Sequence, residues 1–259
     1  MEAFMMAKDQ FNDKTDGAYD TALPDTTIKF IYRDSKRSSE YAVSGATGHM
    51  MKKLGPNCET TGECYSVAAI IGPASSGPTM SAQTVLREYG IPQISFSATS
   101  PSLANNAAYP TFMRTPPSDA YQAEKTADLM KNVFGWDCVN TVSGTDSYST
   151  AGMKAFKSSA EKVGVRVDYS LTVSSSDSTL KDQVEQMFAS TQCAINLLWA
   201  QGYDMGRFIG EMHRGNFYGT KEYILWISES GYANAATMLD YSKLSEADFF
   251  KVIKGAVMA

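Results

Sequence analysis

Hydrophobic positions along the chain switch repeatedly between two spacings. The runs SVAAIIG (66–72), DCVNTVSG (137–144), CAINLLWA (193–200) and EYILWIS (222–228) are nearly continuous and rich in β-branched residues, as strands buried on both faces are. Shorter runs of the same kind predict strands at 26–34, 91–97 and 165–173. Between them, apolar residues recur every three or four positions and predict helices at about 2–12, 39–54, 79–89, 120–135, 150–164, 180–190, 206–215 and 245–253. Strands alternating with helices of this length predict an α/β fold, with parallel sheets flanked by helices.

One stretch breaks the alternation. SATSPSLANNAAYPTFMRTPPSDA is rich in Ser, Pro, Asn and Ala and carries no period, apart from a brief extended piece, YPTFMRT. It predicts a crossover near residues 112–118 between two α/β lobes, one spanning 1–115 and the other 116–259. Facing lobes would bring the carboxyl ends of both sheets to one cleft, where open α/β sheets bind ligands.

Composition narrows the partners. The 259 residues are 43% hydrophobic and 20% charged, with 23 basic against 28 acidic residues and a net charge of -5. No run of Lys or Arg exceeds two, which argues against nucleic acid or an anionic membrane surface. No apolar stretch approaches the roughly 20 residues a membrane span needs. Four cysteines are too few for a disulfide scaffold and lack zinc-ribbon spacing. Cys58 and Cys64 enclose the polar turn ETTGE and are a candidate small surface disulfide, whereas Cys138 and Cys193, inside apolar runs, are expected to be buried free thiols.

The chemistry concentrates at strand ends. In IIGPASSGPT (70–79), Gly72, Gly77 and Thr79 have the spacing of a phosphate-binding loop, but Pro78 stands where the lysine would. The only histidines, His49 and His213, have no motif around them, and no nucleophile elbow or metal-ligand spacing is present. No enzyme and no cofactor is nominated. A loop offering Ser75, Ser76 and backbone N–H groups at a helix start, without lysine, suits a singly charged anion such as a carboxylate; equally, its serines would serve to cap the helix. SFSATSPS repeats the theme after the next strand, with Ser97, Thr99 and Ser100.

The run IIGPASSGPTMSAQTVLREYGIPQISFSATSPSLANNAAYPTFMRTPPSDAYQA, continuing into WDCVNTVSGTDSYSTAGMKAFKSSAEKVGV, resembles the extracellular ligand-binding region of class C G-protein-coupled receptors. SATS, FMRTPPSDAYQA and YSTAGMKAF are similar to metabotropic glutamate receptors, and SPSLANNAAYPTFMRT leans towards GABA type B receptors. The resemblance implies the two-lobed type I periplasmic-binding-protein-like fold, a trap closing on an amino acid or a similar small molecule. It implies that Ser76, with Ser75 beside it, and the segment Ser97, Ala98 and Thr99 hold the ligand carboxylate. It implies that Thr99, Asp119 and Glu229 meet the ammonium group, Glu229 standing where the family usually has Asp, and that Tyr148 approaches from the second lobe. Asp119 also reads as a helix N-cap. The chain begins inside what would be the first lobe's first helix and ends at KGAVMA, so a fragment of a larger membrane-anchored receptor is expected, on the extracellular side of the plasma membrane and able to dimerise through lobe 1. The alternative is a periplasmic amino-acid-binding protein of a transporter.

Overall fold

A computed structural model describes residues 2–54, 67–174, 176, 178–220 and 223–258. The chain divides into two compact units, residues 1–34 and 35–259.

The first unit holds helix α1 (Glu2–Asn12). The strand expected at 26–34 does not form there. These residues make no ladder, and Tyr32 is 72% exposed. Ile28 has its backbone paired by a side chain, its N–H donating to Asn12 Oδ1 (2.7 Å) and its carbonyl accepting from Asn12 Nδ2 (2.9 Å), and the Thr26 N–H turns back to the Leu23 carbonyl (3.0 Å). Strand-like sequence becomes a strand only when a neighbour supplies the ladder. No strand is present among the described residues of this unit.

The second unit carries two parallel sheets. The smaller comprises β1 (Ile70–Ile71), β2 (Gln93–Ser95) and β3 (Phe112–Arg114), in the order β1-β2-β3. Its Ile70 packs with Ala42 and Ala46 of α2 (Ser39–Leu54) and with Ala82 and Leu86 of α3 (Ser76–Leu86). Helix α3 starts three residues before the expected 79. After β3 comes α4 (Asp119–Asp128).

The larger sheet comprises β4 (Cys138–Ser143), β5 (Arg166–Thr172), β6 (Ile195–Trp199), β7 (Ile224–Ile227) and β8 (Val257–Met258), in the order β5-β4-β6-β7-β8, every pair parallel. The helices between them are α5 (Ser147–Val163), α6 (Leu180–Ser190), α7 (Gly202–Arg214), α8 (Phe217–Thr220), α9 (Glu229–Ala233), α10 (Ala235–Ser242) and α11 (Glu246–Ile253). Successive strand residues point to opposite faces. Leu197 and Trp199 therefore join Phe156 of α5 and Ala123 and Ala127 of α4. Leu198 and Ile227 join Phe208 and Ile209 of α7 and Val252 of α11 on the other face. Helices on both faces account for the continuous apolar runs of β6 and β7. Helices α7 and α10 touch backbone to backbone at Gly206, where a Cβ would lie 2.3 Å from the Met238 carbonyl oxygen.

The expectation of free thiols at Cys138 and Cys193 is corrected: they form a disulfide, with Cα atoms 5.9 Å apart. Strands β4 and β6 are neighbours, with Asn140 opposite Asn196, and Asn140 Nδ2 donates to the Cys193 carbonyl (2.9 Å). Two cysteines 55 residues apart therefore meet at the start of adjacent strands. The proposed Cys58 and Cys64 pair lies outside the described residues.

Loop-closure entropy for a loop of that length gives the disulfide about 4 kcal/mol of stability. Replacing both cysteines by serine is expected to remove about that much, read as a lower denaturant midpoint in guanidinium unfolding, with a steeper slope because the unlinked chain unfolds to a more open ensemble. An unchanged midpoint would show that the bridge contributes nothing.

Candidate functional site

Parallel strands put all their carboxyl ends, and the amino ends of the helices that follow, on one edge of each sheet. Beyond β1 the chain passes Gly72, which has φ 90°, and a cis Gly72–Pro73 peptide before α3. Buried side chains hold this loop. Gln93 Nε2 donates to the Gly72 carbonyl (2.9 Å), and both Ser95 Oγ (2.7 Å) and Thr79 Oγ1 (3.0 Å) donate to the Pro73 carbonyl.

Ser75 occupies the N-cap position of α3, yet its side chain makes no capping hydrogen bond. The N–H groups of Ser76 and Gly77 open the first turn without intrahelical acceptors, and Pro78 has no N–H to offer. Three helix starts converge here, since a Cβ on Gly77 would lie 3.5 Å from Ser147 Oγ of α5 and 4.0 Å from Ser39 Oγ of α2.

The loop after β2 is knit to its own sheet and to the starts of α3, α4 and α5. Ser95 Oγ accepts from the N–H groups of Ser97 (3.3 Å) and Ala98 (3.0 Å). The Ser100 N–H donates to Ser76 Oγ (3.3 Å), while Ser100 Oγ donates to the Ser147 carbonyl at the start of α5 (3.1 Å). Arg114 Nη1 donates to the Ala98 (3.3 Å) and Ser100 (3.0 Å) carbonyls, and the Asp119 N–H donates to the Thr99 carbonyl (2.9 Å).

Asp119 is the first residue of α4, not its cap; Ser118 caps the helix through the Ala120 N–H. Asp119 is 3% exposed, and its Oδ2 is buried with no hydrogen-bond partner. Burial raises its pKa to about 7, the nearby Glu229 carboxylate adds to the rise, and the Thr99 hydroxyl and Arg114 guanidinium oppose it.

Tyr148 was expected just before a helix starting at 150. Asp146 instead starts α5 three residues earlier, its Oδ1 accepting from the N–H groups of Tyr148 (3.0 Å) and Ser149 (3.3 Å). That places Tyr148 in the first turn with its ring buried and its hydroxyl 3.0 Å from Ser228 Oγ. Burial, then the charges of Glu229 and Asp119, push the phenol well above its ordinary pKa. Glu229 opens α9 directly after β7, and its Oε2 is also buried without a partner.

Thr99, Asp119, Tyr148 and Glu229 thus form one group, joined to Ser76 and Ala98 through Ser100 and Arg114. Ser97 sits on an exposed shoulder of the same loop, and Ser75 stands half-buried at the mouth of α3. Sequence reasoning passed over Arg114, Ser147 and Ser228. Arg114 was visible as the one cation in FMRTPP; the two serines carried no signal apart from the fold that delivers them. It also passed over a second acid pair, where burial and then Asp146 raise Asp204 to about 7 against the pull of Arg207.

Parallel sheets thus bring strand ends, hydroxyls and buried acids together. The sequence matches the profile described as "Receptor family ligand binding region" over residues 1–259, and the chain belongs to that family. It is 24% identical over 99% of its length to the extracellular calcium-sensing receptor of Mus musculus, of which it covers 23%. It is 26% identical over 95% of its length to metabotropic glutamate receptor 4 of Rattus norvegicus, of which it covers 28%. The chain spans about a quarter of the length of these relatives. They are receptors of the class whose resemblance the sequence carries, and the transporter alternative is set aside.

Tyr148→Phe leaves the buried Ser228 hydroxyl without its partner and is expected to cost about 1 kcal/mol in denaturant unfolding. Combined with Ser228→Ala, the loss should be smaller than the sum of the two single losses; strict additivity would mean that the two hydroxyls do not interact.

Proposed function

We propose that these residues are the ligand-binding part of a G-protein-coupled receptor on the extracellular side of the plasma membrane, with residues 1–115 as lobe 1 and 116–259 as lobe 2. The ligand is an amino acid or a similar small zwitterion. The observation that carries this reading is the pair of buried carboxylate oxygens, Asp119 Oδ2 and Glu229 Oε2, neither with a hydrogen-bond partner, beside a rim of hydroxyl and N–H donors.

A buried unpaired carboxylate is costly, and an ammonium group with three donors relieves that cost for two acids at once. The donors at Ser76, Gly77, Ser97, Ala98 and Thr99 are uncharged and suit the ligand's carboxylate, each hydrogen bond to an ionised acceptor contributing about 1.5–3 kcal/mol. Ser75 stands close enough along the chain to join them. A ligand docked on lobe 1 would be met by Tyr148 and Glu229 as the lobes close, so that binding energy shifts the population towards the closed form. The domain binds and releases its ligand without chemistry and without a cofactor, and lobe 1 is the surface through which two receptors pair.

The calcium-sensing relatives raise a divalent cation as a second candidate. The organic cation is preferred because the rim beside the two acids offers N–H and hydroxyl donors, which suit the carboxylate of a zwitterion.

A thermal-shift screen of amino acids tests the reading. A ligand at 100 times its dissociation constant is expected to add about 2.7 kcal/mol of stability. Ser76→Ala with Thr99→Ala should weaken binding by about 100-fold while the circular dichroism of the free protein stays unchanged. A full shift in the double variant would place the carboxylate elsewhere.

A further inference from the structure

We propose that a proton takes the place of the ligand's ammonium group in the empty site, so that acidification by itself favours the arrangement in which Asp119 and Glu229 are buried together. The inference rests on the reading above for the cation that the proton replaces and for the two lobes whose closure brings the acids together.

Two acidic residues from distant parts of the chain, at the first turn of α4 and the first residue of α9, converge on one buried spot. Asp119 Oδ2 and Glu229 Oε2 are both enclosed and both lack a partner. The groups that face Asp119 are few: Thr99 from the loop after β2, Arg114 from β3, Tyr148 from α5 and Glu229 from α9. Tyr148 and Thr99 carry no positive charge. Arg114 is the single cation among them, and its Nη1 is already shared between the Ala98 and Ser100 carbonyls. With both acids ionised, the spot is left one positive charge short.

A bound ammonium group supplies that charge, and so does one proton on Asp119. Burial and the Glu229 carboxylate raise Asp119 to about 7, which puts the exchange near neutral pH. If the two elements part and water reaches the carboxyls, Asp119 returns towards its ordinary value near 3.8. The buried arrangement therefore binds the proton more tightly, and lowering the pH must shift the population towards it. The direction follows from the raised value: the favourable contribution is complete below about pH 4 and is lost as the pH rises through about 7. Across that window the ratio of buried to parted arrangements changes by up to about tenfold per pH unit. An ammonium ligand runs the other way, losing about tenfold in affinity for each unit below 7, because it competes with the proton.

The radius of gyration of the purified protein without ligand, followed by small-angle X-ray scattering from pH 8 to pH 5.5, tests this. The protein should contract as the pH falls. Asp119→Asn should be compact throughout and lose the pH dependence, and Glu229→Gln should move the midpoint below that of the parent. A radius independent of pH in the parent, or an unchanged contraction in Asp119→Asn, overturns the proposal. Adding single amino acids at pH 8 separates the two readings. Contraction with an amino acid but not with acid sinks the proton switch alone; contraction with acid but with no amino acid upholds it and sinks the zwitterion.

Discussion

All the strands of both sheets run parallel, and a parallel pair can be joined only by a crossover that returns over the sheet. The loops leaving β1, β2, β4 and β7 therefore finish at matching edges, each followed by a helix or helical turn whose first N–H groups are unsatisfied. Ala98 stands in one of these loops, and Ser76, Tyr148 and Glu229 stand in the first turns of the helices that follow the other three. The concentration of donors and acids is a consequence of chain direction before it is a matter of residue choice.

What residue choice adds is rigidity in the first sheet's loops and an unmet charge beside them. Gln93, Ser95 and Thr79 are buried side chains used on backbone carbonyls, which fixes the 72–75 and 97–100 segments without a large apolar core beneath them. Ser100 then bridges to both α3 and α5. Against this frame two carboxylates each keep one oxygen buried without a partner, which is unfavourable. Binding sites are where such costs are retained, because a ligand removes them.

Much of this was legible in the chain. The strands β4, β6 and β7 fall inside the predicted runs, and α1, α2 and α6 match their predicted bounds. The hydroxyl-rich ends after β1 and β2 were also plain. The starts of α3 and α5 came out three residues early: α3 begins at Ser76 without a side-chain cap from Ser75, and Asp146 caps α5 before its apolar period begins, which turned Tyr148 inward from a loop. The run 26–34 has strand composition but no strand, since composition describes one side of a ladder only.

Taken alone, the sequence determined the alternation of elements, the α/β class and the kind of group standing at each strand end, because these depend on neighbours within a turn or two. Only the tertiary structure decided which ends meet. It set Cys138 beside Cys193 by making β4 and β6 neighbours, and Tyr148 against Ser228 by carrying α5 over to the end of β7. It brought Asp119 up to Glu229 with a single guanidinium between them and neutrality. Those pairings are 55 to 110 residues apart in the chain, and their energies exist only once folding has removed the water that would otherwise screen them.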